Sequence, residues 1–141
     1  MYKCILVAVD LDEESSWHKA LPAAVALAQA FGTRLWVATV IRDVDAILKG
    51  AVIAQIYEQL VSEAGDRLKI LVKSQVPVVL QPQTVVGHGS IYGEILRIAE
   101  DVGADLVVMA SHRPEMKDYL IGANTARIVR HARISVLVVR E

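Results

Sequence analysis

The chain has 141 residues, which suits one domain, and its 15 Lys and Arg against 16 Asp and Glu give a net charge of −1. That balance excludes a bulk attraction to nucleic acid, and no apolar run approaches the roughly 18 residues that a membrane span needs. The single cysteine, Cys4, cannot form an internal disulfide, so we expect a cytoplasmic protein. Hydrophobic residues make up 54% of the chain, which indicates strands buried on both faces or a self-association surface.

The first apolar run along the chain predicts a buried strand. Residues 4–9 are continuously apolar and are followed by Asp10, a pattern typical of a strand covered on both faces. A helical stripe of apolar residues comes next. We predict Ser15 or Ser16 as the N-cap of this helix and Gly32 as its stop.

The middle of the chain predicts two further strands around a long helix. Leu35–Val40 is the second apolar run, and apolar residues within 53–71 recur at the three- and four-residue steps of a helix. The segment 78–86 predicts the third strand. Pro82 inside it favours an edge position, because proline cannot donate to the ladder. Residues 42–50 are the least regular stretch, and we expect them to be mobile.

The rest of the chain continues the alternation. Ser90 is the predicted cap of a helix, residues 105–110 form the fourth predicted strand, and Ser135–Val139 form the last. A polar loop and a short helix separate these two strands. Strands that alternate with helices predict one α/β domain, residues 1–141, with a parallel sheet, right-handed crossovers and helices on both faces.

In open parallel sheets, ligands bind outside the carboxyl ends of the strands, where the strand order reverses. The segment Met109–Pro114 leaves the fourth strand and enters a loop, and Gly122–Thr125 begins a helix. A helix start offers free N–H groups and a positive dipole end, which suit a phosphate, and Arg113 and Lys117 add positive charge to the loop. The alternative is a connecting loop with a glycine at a tight turn, and this segment alone does not decide between the two.

Two segments of the sequence resemble the bacterial universal stress proteins. ASHRPEMKDYLIGANTARIVRHARISVLVVR is similar to their C-terminal signature, and YKCILVAVDLD is similar to their first strand. The resemblance implies a doubly wound, five-stranded parallel sheet in the order 3-2-1-4-5. It also implies a homodimer formed through Ser135–Val139 and, in one branch of the family, bound ATP.

The ATP-binding branch is marked by Gly-x2-Gly-x9-Gly-Ser/Thr after the fourth strand, and this sequence departs from that pattern. Ala110 and Arg113 stand at the first two glycine positions, the spacer of residues 114–121 is one residue short, and Ala123 replaces the Ser or Thr. The form SHRP…YLxG resembles a sub-branch in which adenine nucleotides are still bound. We therefore expect ATP, ADP or AMP as the ligand, with Mg²⁺ arriving only together with the nucleotide.

The resemblance assigns a contact to each part of the nucleotide. Adenine is expected beside Ala8, Val9 and Val40, with Asp10 at the edge of the base or ribose. The ribose side is expected at Met109 and Ala110, and the phosphates at Gly122, Ala123, Asn124 and Thr125. Arg113 is expected near the phosphates because of its charge in the same loop, not because of the resemblance. Gly87 begins a second glycine-bearing turn that resembles the Gly-x-Pro turn of the family. A strand-to-helix turn capped by Ser90 is an equal alternative to ligand contact there.

Other polar residues give weaker signals. Ser111 and His112 are adjacent in sequence, an arrangement that seldom forms a catalytic triad. The four histidines lack metal-ligand spacing. Asp10 and Asp12 could hold Mg²⁺ beside phosphates, yet acidic residues also favour a helix N-terminus.

We therefore predict an adenine-nucleotide-binding stress-response or signalling dimer. The alternatives are a nucleotide-independent dimer that acts through protein partners, and a slow ATPase.

Overall fold

The computed structural model describes residues 1–42, 51–111 and 122–140, except for the side chains of residues 51–53. Five strands and four α-helices alternate along these residues: β1 Cys4–Ala8, α1 Ala20–Phe31, β2 Arg34–Arg42, α2 Ala51–Gln75, β3 Gln83–Gly89, α3 Ile91–Val102, β4 Leu106–Ala110, α4 Ala123–His131 and β5 Ser135–Val139. Single 3₁₀ turns lie at Glu14–Ser16 and Val78–Leu80. Residues 43–50, most of the stretch predicted to be mobile, lie outside the described residues.

The strands form one parallel sheet in the order β3-β2-β1-β4-β5, as predicted. The order reverses at β1, which pairs with β2 on one side and with β4 on the other. The sheet therefore has a switch point between the carboxyl ends of β1 and β4, and that is where an open α/β sheet accommodates ligands.

The central strand is buried on both faces, which accounts for its continuous apolar sequence. Ile5 and Val7 point into a core shared with α1 and α2, whereas Cys4 and Leu6 point into a second core shared with α3 and α4. All four are completely buried. Side chains alternate between the faces of a strand, so only an uninterrupted apolar run can serve two cores.

The helix ends confirm two of the predicted signals. Gly32 ends α1 with φ 64°, the left-handed conformation that glycine adopts without a steric penalty. Ser90 caps α3, with its Oγ accepting a hydrogen bond from the N–H of Gly93 at 3.4 Å. Both residues are turn formers that stop one element and orient the next.

The predicted cap of α1 was wrong. The helix begins at Ala20, and Lys19 occupies its N-cap position without a side-chain hydrogen bond. Ser15 and Ser16 belong to the preceding 3₁₀ turn. The hydroxyl of Ser16 accepts a hydrogen bond from the N–H of Asp10 at 2.8 Å and therefore organises the loop after β1 instead of the helix.

The predicted start of the third strand was also wrong. Val78–Leu80 forms a 3₁₀ turn, and Val78 and Val79 are 88% and 81% exposed. Gln81 follows with φ 48°, a left-handed conformation that breaks an extended chain. The strand begins at Gln83, after Pro82, and it lies at the edge of the sheet as the proline predicted.

Candidate functional site

A cavity of about 940 Å³ opens at the carboxyl ends of β1, β2 and β4. Its floor consists of strand ends, one wall is α2, and the N-terminus of α4 closes the opposite side. Ten of the residues predicted to contact a nucleotide line it: Ala8, Val9, Asp10, Val40, Met109, Ala110, Gly122, Ala123, Asn124 and Thr125. The fold therefore brings together side chains that lie more than a hundred positions apart in the sequence.

Hydrogen bonds within the loop after β1 hold Asp10 at the cavity. The Asp10 carboxylate accepts the N–H of Asp12 at 3.0 Å, closing a turn through one of its two oxygens. The Ser16 hydroxyl lies 2.9 Å from the carbonyl oxygen of Asp10 and 2.7 Å from that of Glu13. The loop is therefore ordered by its own hydrogen bonds, and among the described residues no donor reaches the second carboxylate oxygen of Asp10.

The start of α4 lies on the other side of the cavity. Gly122 is its N-cap and has no side chain with which to cap the helix. It donates its own N–H to the carbonyl oxygen of Ser111 at 3.0 Å. Thr125 donates its hydroxyl to the carbonyl oxygen of Ala110 at 3.1 Å, which ties the helix to the end of β4. The first N–H groups of a helix have no partner within the helix, so this end is an electropositive group of donors.

One face of α2 forms a wall that the sequence analysis did not predict. Leu60, Glu63, Ala64 and Arg67 line the cavity from this helix. Arg67 donates Nη2 to Asp12 Oδ1 at 2.9 Å and to the carbonyl oxygen of Leu11 at 3.3 Å, which links the helix to the loop after β1. The four- and three-residue spacing of these positions is the signal that they share a face, but it cannot show that this face meets the site.

Charge divides the cavity into two ends. The end beside β1 carries the carboxylates of Asp10, Asp12 and Glu13. Glu63 and Arg67 on the adjoining helix and Arg42 at the end of β2 also line the cavity, so acidic side chains outnumber basic ones by four to two among the described residues. The opposite end carries the positive N-terminus of α4. An anionic group is therefore favoured at α4 and disfavoured beside β1. Within 1–42, 51–111 and 122–140, no cluster of three or more His, Cys, Asp or Glu residues could hold a metal ion.

Gly87 does not line this cavity. A Cβ built on it would lie 3.0 Å from Glu94 Oε1 and 3.1 Å from Ile98 Cδ1, so the absence of a side chain permits the close packing of α3 on β3. The hydrogen bond from Arg97 is the largest cause that holds the pKa of Glu94 below its usual range. The geometry thus gives Gly87 a packing role, and its predicted ligand contact stays a prediction.

Arg113 and the other loop residues predicted near the phosphates, Lys117 among them, lie outside the described residues. So does His112. A second cavity, of about 570 Å³, is found on the far side of α3 and is lined by Leu96, Ala104 and Ile134 among others. It contains none of the residues predicted to contact a nucleotide.

The architecture defines a doubly wound α/β protein with a ligand-sized cavity at its switch point. The family model for the universal stress protein family matches residues 1–140, and the chain belongs to that family. Universal stress protein G of Escherichia coli O157:H7 is 34% identical over 145 residues, covering 99% of this chain and 100% of the relative.

Solved structures show the same fold. The protein MJ0577 superposes with a TM-score of 0.76 at 24% identity, covering 100% of this chain and 97% of its own. A universal stress protein in complex with cAMP gives a TM-score of 0.64 at 24% identity, covering 99% and 97% of the two chains. A universal stress protein from Archaeoglobus fulgidus in complex with dAMP gives 0.61 at 16% identity, covering 99% and 98%.

Proposed function

We propose that this protein binds an adenine nucleotide, ATP, ADP or AMP, in the cavity at the ends of β1, β2 and β4. The observation that carries the proposal is the pairing of an apolar strand-end floor with a helix N-terminus across one cavity. Val9, Val40 and Met109 supply the apolar surface that suits the face of a purine, and Asp10 supplies an acceptor for its edge or for a ribose hydroxyl.

The phosphates belong at the start of α4 in this proposal. The N–H groups of Ala123, Asn124 and Thr125 are the donors that a helix start offers to an anion. The carboxylates beside β1 disfavour the reverse orientation, with phosphates at that end. Mg²⁺, in this proposal, arrives together with the phosphates of the nucleotide.

Two solved relatives support an adenine-containing ligand. One universal stress protein was solved in complex with cAMP and another in complex with dAMP. Both ligands contain adenine and a phosphate. Their binding makes the proposal chemically reasonable for a cavity of this position and volume.

We further propose a binding role without rapid turnover, in which the occupied or empty state of the cavity is the signal. ATP hydrolysis needs a group that orients water and positive charge on the γ-phosphate. Two carboxylates of the sequence, Glu115 and Asp118, could serve as the base, and both lie outside the described residues. Phosphate release at about one per second or faster, within ordinary enzyme rates, would instead establish an ATPase.

The assembly that we propose is a homodimer through β5. This strand is the edge of the sheet beyond β4, and Leu137 on it is 37% exposed. Ser111 donates its N–H to the carbonyl oxygen of Val139, so Val139 faces β4 and the neighbouring Val138 presents its own backbone groups to the open edge. A cytoplasmic location and the absence of a nucleic-acid partner stay predictions. None of the helices in the described ranges is long and apolar enough to cross a bilayer.

Substitution of Gly122 tests the proposed site. A Cβ at this position would lie 3.8 Å from the nearest backbone oxygen, and the φ of −56° suits any residue, so Gly122→Val should fold. Its branched side chain would occupy the space in which a phosphate approaches the helix start. We expect calorimetry to show ADP binding by the wild type and at least a tenfold weaker affinity in the variant.

Ala126→Val is the matched control, since Ala126 is exposed on the same helix and does not line the cavity. An unchanged ADP affinity in Gly122→Val would contradict the site. A wild-type protein that binds no adenine nucleotide would contradict the function and would favour the nucleotide-independent dimer.

A further inference from the structure

We propose that the hydroxyl of Ser15 is a ligand-contacting group of this cavity and that it hydrogen-bonds the nucleoside part of the bound nucleotide. The inference rests on the proposed function and adds one specific contact to it. Two observations carry it. Ser15 lines the cavity, and its Oγ is buried without a hydrogen-bond partner among the described residues.

A buried hydroxyl without a partner is an unfavourable feature of a folded protein. Removing such a group from water costs about 1–3 kcal/mol when no hydrogen bond replaces the lost ones. Native proteins therefore satisfy most buried polar atoms, and an exception calls for an explanation. A partner that arrives with a ligand is the explanation that fits a residue in a cavity wall.

The neighbouring residue shows that the loop itself does not lack hydrogen bonds. Ser16 is adjacent in the same 3₁₀ turn, and its hydroxyl makes contacts with the N–H of Asp10 and with two carbonyl oxygens. Ser16 therefore stabilises the conformation of the loop after β1. Ser15 has no such partner among the described residues, and rotation about χ1 is what would turn its buried hydroxyl toward the cavity.

The electrostatics of this end of the cavity decide which part of a nucleotide Ser15 meets. Asp10, Asp12 and Glu13 lie on the same loop; Arg67 offsets the charge of Asp12, and the remaining carboxylates repel an anion. The electropositive start of α4 takes the phosphates at the other end. The partner of Ser15 is therefore an uncharged group, a ring nitrogen of the base or a hydroxyl of the ribose.

Thr33 provides an internal control for this argument. Its Oγ1 is the other buried side-chain atom without a partner in the described part of the chain, and the residue is 7% exposed. Thr33 lies between α1 and β2 and lines neither of the two cavities. Both hydroxyls thus lack a partner among the described residues, but only Ser15 lies where a ligand can supply one.

The experiment compares Ser15→Ala and Thr33→Val in thermal unfolding and in calorimetric binding of adenosine, AMP and ADP. Both substitutions remove an unsatisfied buried hydroxyl, so we expect both unliganded variants to unfold at the wild-type temperature or up to about 4 °C above it. Ser15→Ala should raise the Kd about three- to tenfold, and by the same factor for all three ligands, because the lost contact is to the nucleoside. Thr33→Val should bind as the wild type does.

Each other outcome overturns a defined part of the account. A wild-type Kd in Ser15→Ala, with nucleotide binding intact in the wild type, overturns the Ser15 contact alone. A loss confined to AMP and ADP overturns the nucleoside assignment, and a marked fall in unfolding temperature shows that Ser15 stabilises the unliganded fold instead. A wild type that binds none of the three ligands overturns the proposed function together with this inference.

Discussion

Glu94 shows how a single carboxylate can hold the turn between β3 and α3. Its Oε1 accepts the N–H of His88 at 3.2 Å, and its two oxygens lie 2.6 and 3.1 Å from nitrogens of Arg97. The hydrogen bond from Arg97 is the principal cause of the lowered pKa of Glu94. The ionised carboxylate of Glu94 is therefore stabilised more strongly in the folded protein than in the unfolded chain.

This lowered pKa predicts an acid-dependent loss of stability. The contribution of Glu94 is fully present above its unfolded pKa of about 4.5 and disappears as the pH falls through the lowered folded value. We expect the difference in unfolding free energy between the wild type and Glu94→Gln to shrink from pH 5 downward when urea unfolding is measured across pH 3–7. Glu58→Gln, at an exposed position on α2, is the charge-matched control. A difference that stays constant with pH would contradict this role.

Individual site residues could be predicted where their position in a strand or at a helix start carried the information. Val40 follows from the end of an apolar run, and Gly122 from a glycine before a helix. For Gly87 the sequence fitted a ligand-binding turn and a plain strand-to-helix turn equally well. Its packing against Glu94 and Ile98 is a tertiary relationship that local sequence does not encode.

At the level of elements, β5 has an edge that invites pairing with a second copy. Val136 and Val138 direct their backbone groups outward, and Leu137 is partly exposed. Two such strands related by a two-fold axis form an antiparallel contact and close the assembly as a dimer. Proline at 138 removes an outward donor, and lysine at 137 places a charge at the contact without entering the core.

We expect the wild type to sediment as a dimer at micromolar concentration, and Val138→Pro and Leu137→Lys to shift it toward monomer. Val79→Lys is the control, since Val79 is also exposed and apolar but precedes β3 at the opposite edge. A monomeric wild type would refute the dimer. A dimer that resists both β5 substitutions would place the contact elsewhere.

The elements themselves were largely predictable because burial on two faces leaves a continuous apolar sequence. That rule fails for Val78–Leu80, which is apolar and β-branched in part but precedes the first residue pair of the β2–β3 ladder, Trp36 with Gln83. The prediction of the N-cap of α1 was wrong for a related reason. Ser15 and Ser16 have the right side chains for a cap, but the loop after β1 uses Ser16 for its own hydrogen bonds.

At the level of the whole molecule, the cavity depends on topology. β1 and β4 are neighbours in the sheet although about a hundred residues separate them along the chain. The helix α2, which follows β2, lines the same opening. Sequence reasoning could place strand ends at this edge because parallel strands share it. It could not place Arg67 and Leu60, since the face that a long helix turns toward a site depends on the packing of its entire length.

The central claim is that an adenine nucleotide binds at this switch point, and the most direct test is a titration of the isotope-labelled protein with ADP, followed through the amide resonances. Binding in the cavity predicts that the largest shifts fall on Val9, Val40 and Ala123–Thr125, at the two ends of the ligand. Residues of the second cavity, such as Leu96 and Ile134, should be little affected. A spectrum that does not change at millimolar ADP, or shifts concentrated around the second cavity, would contradict the account.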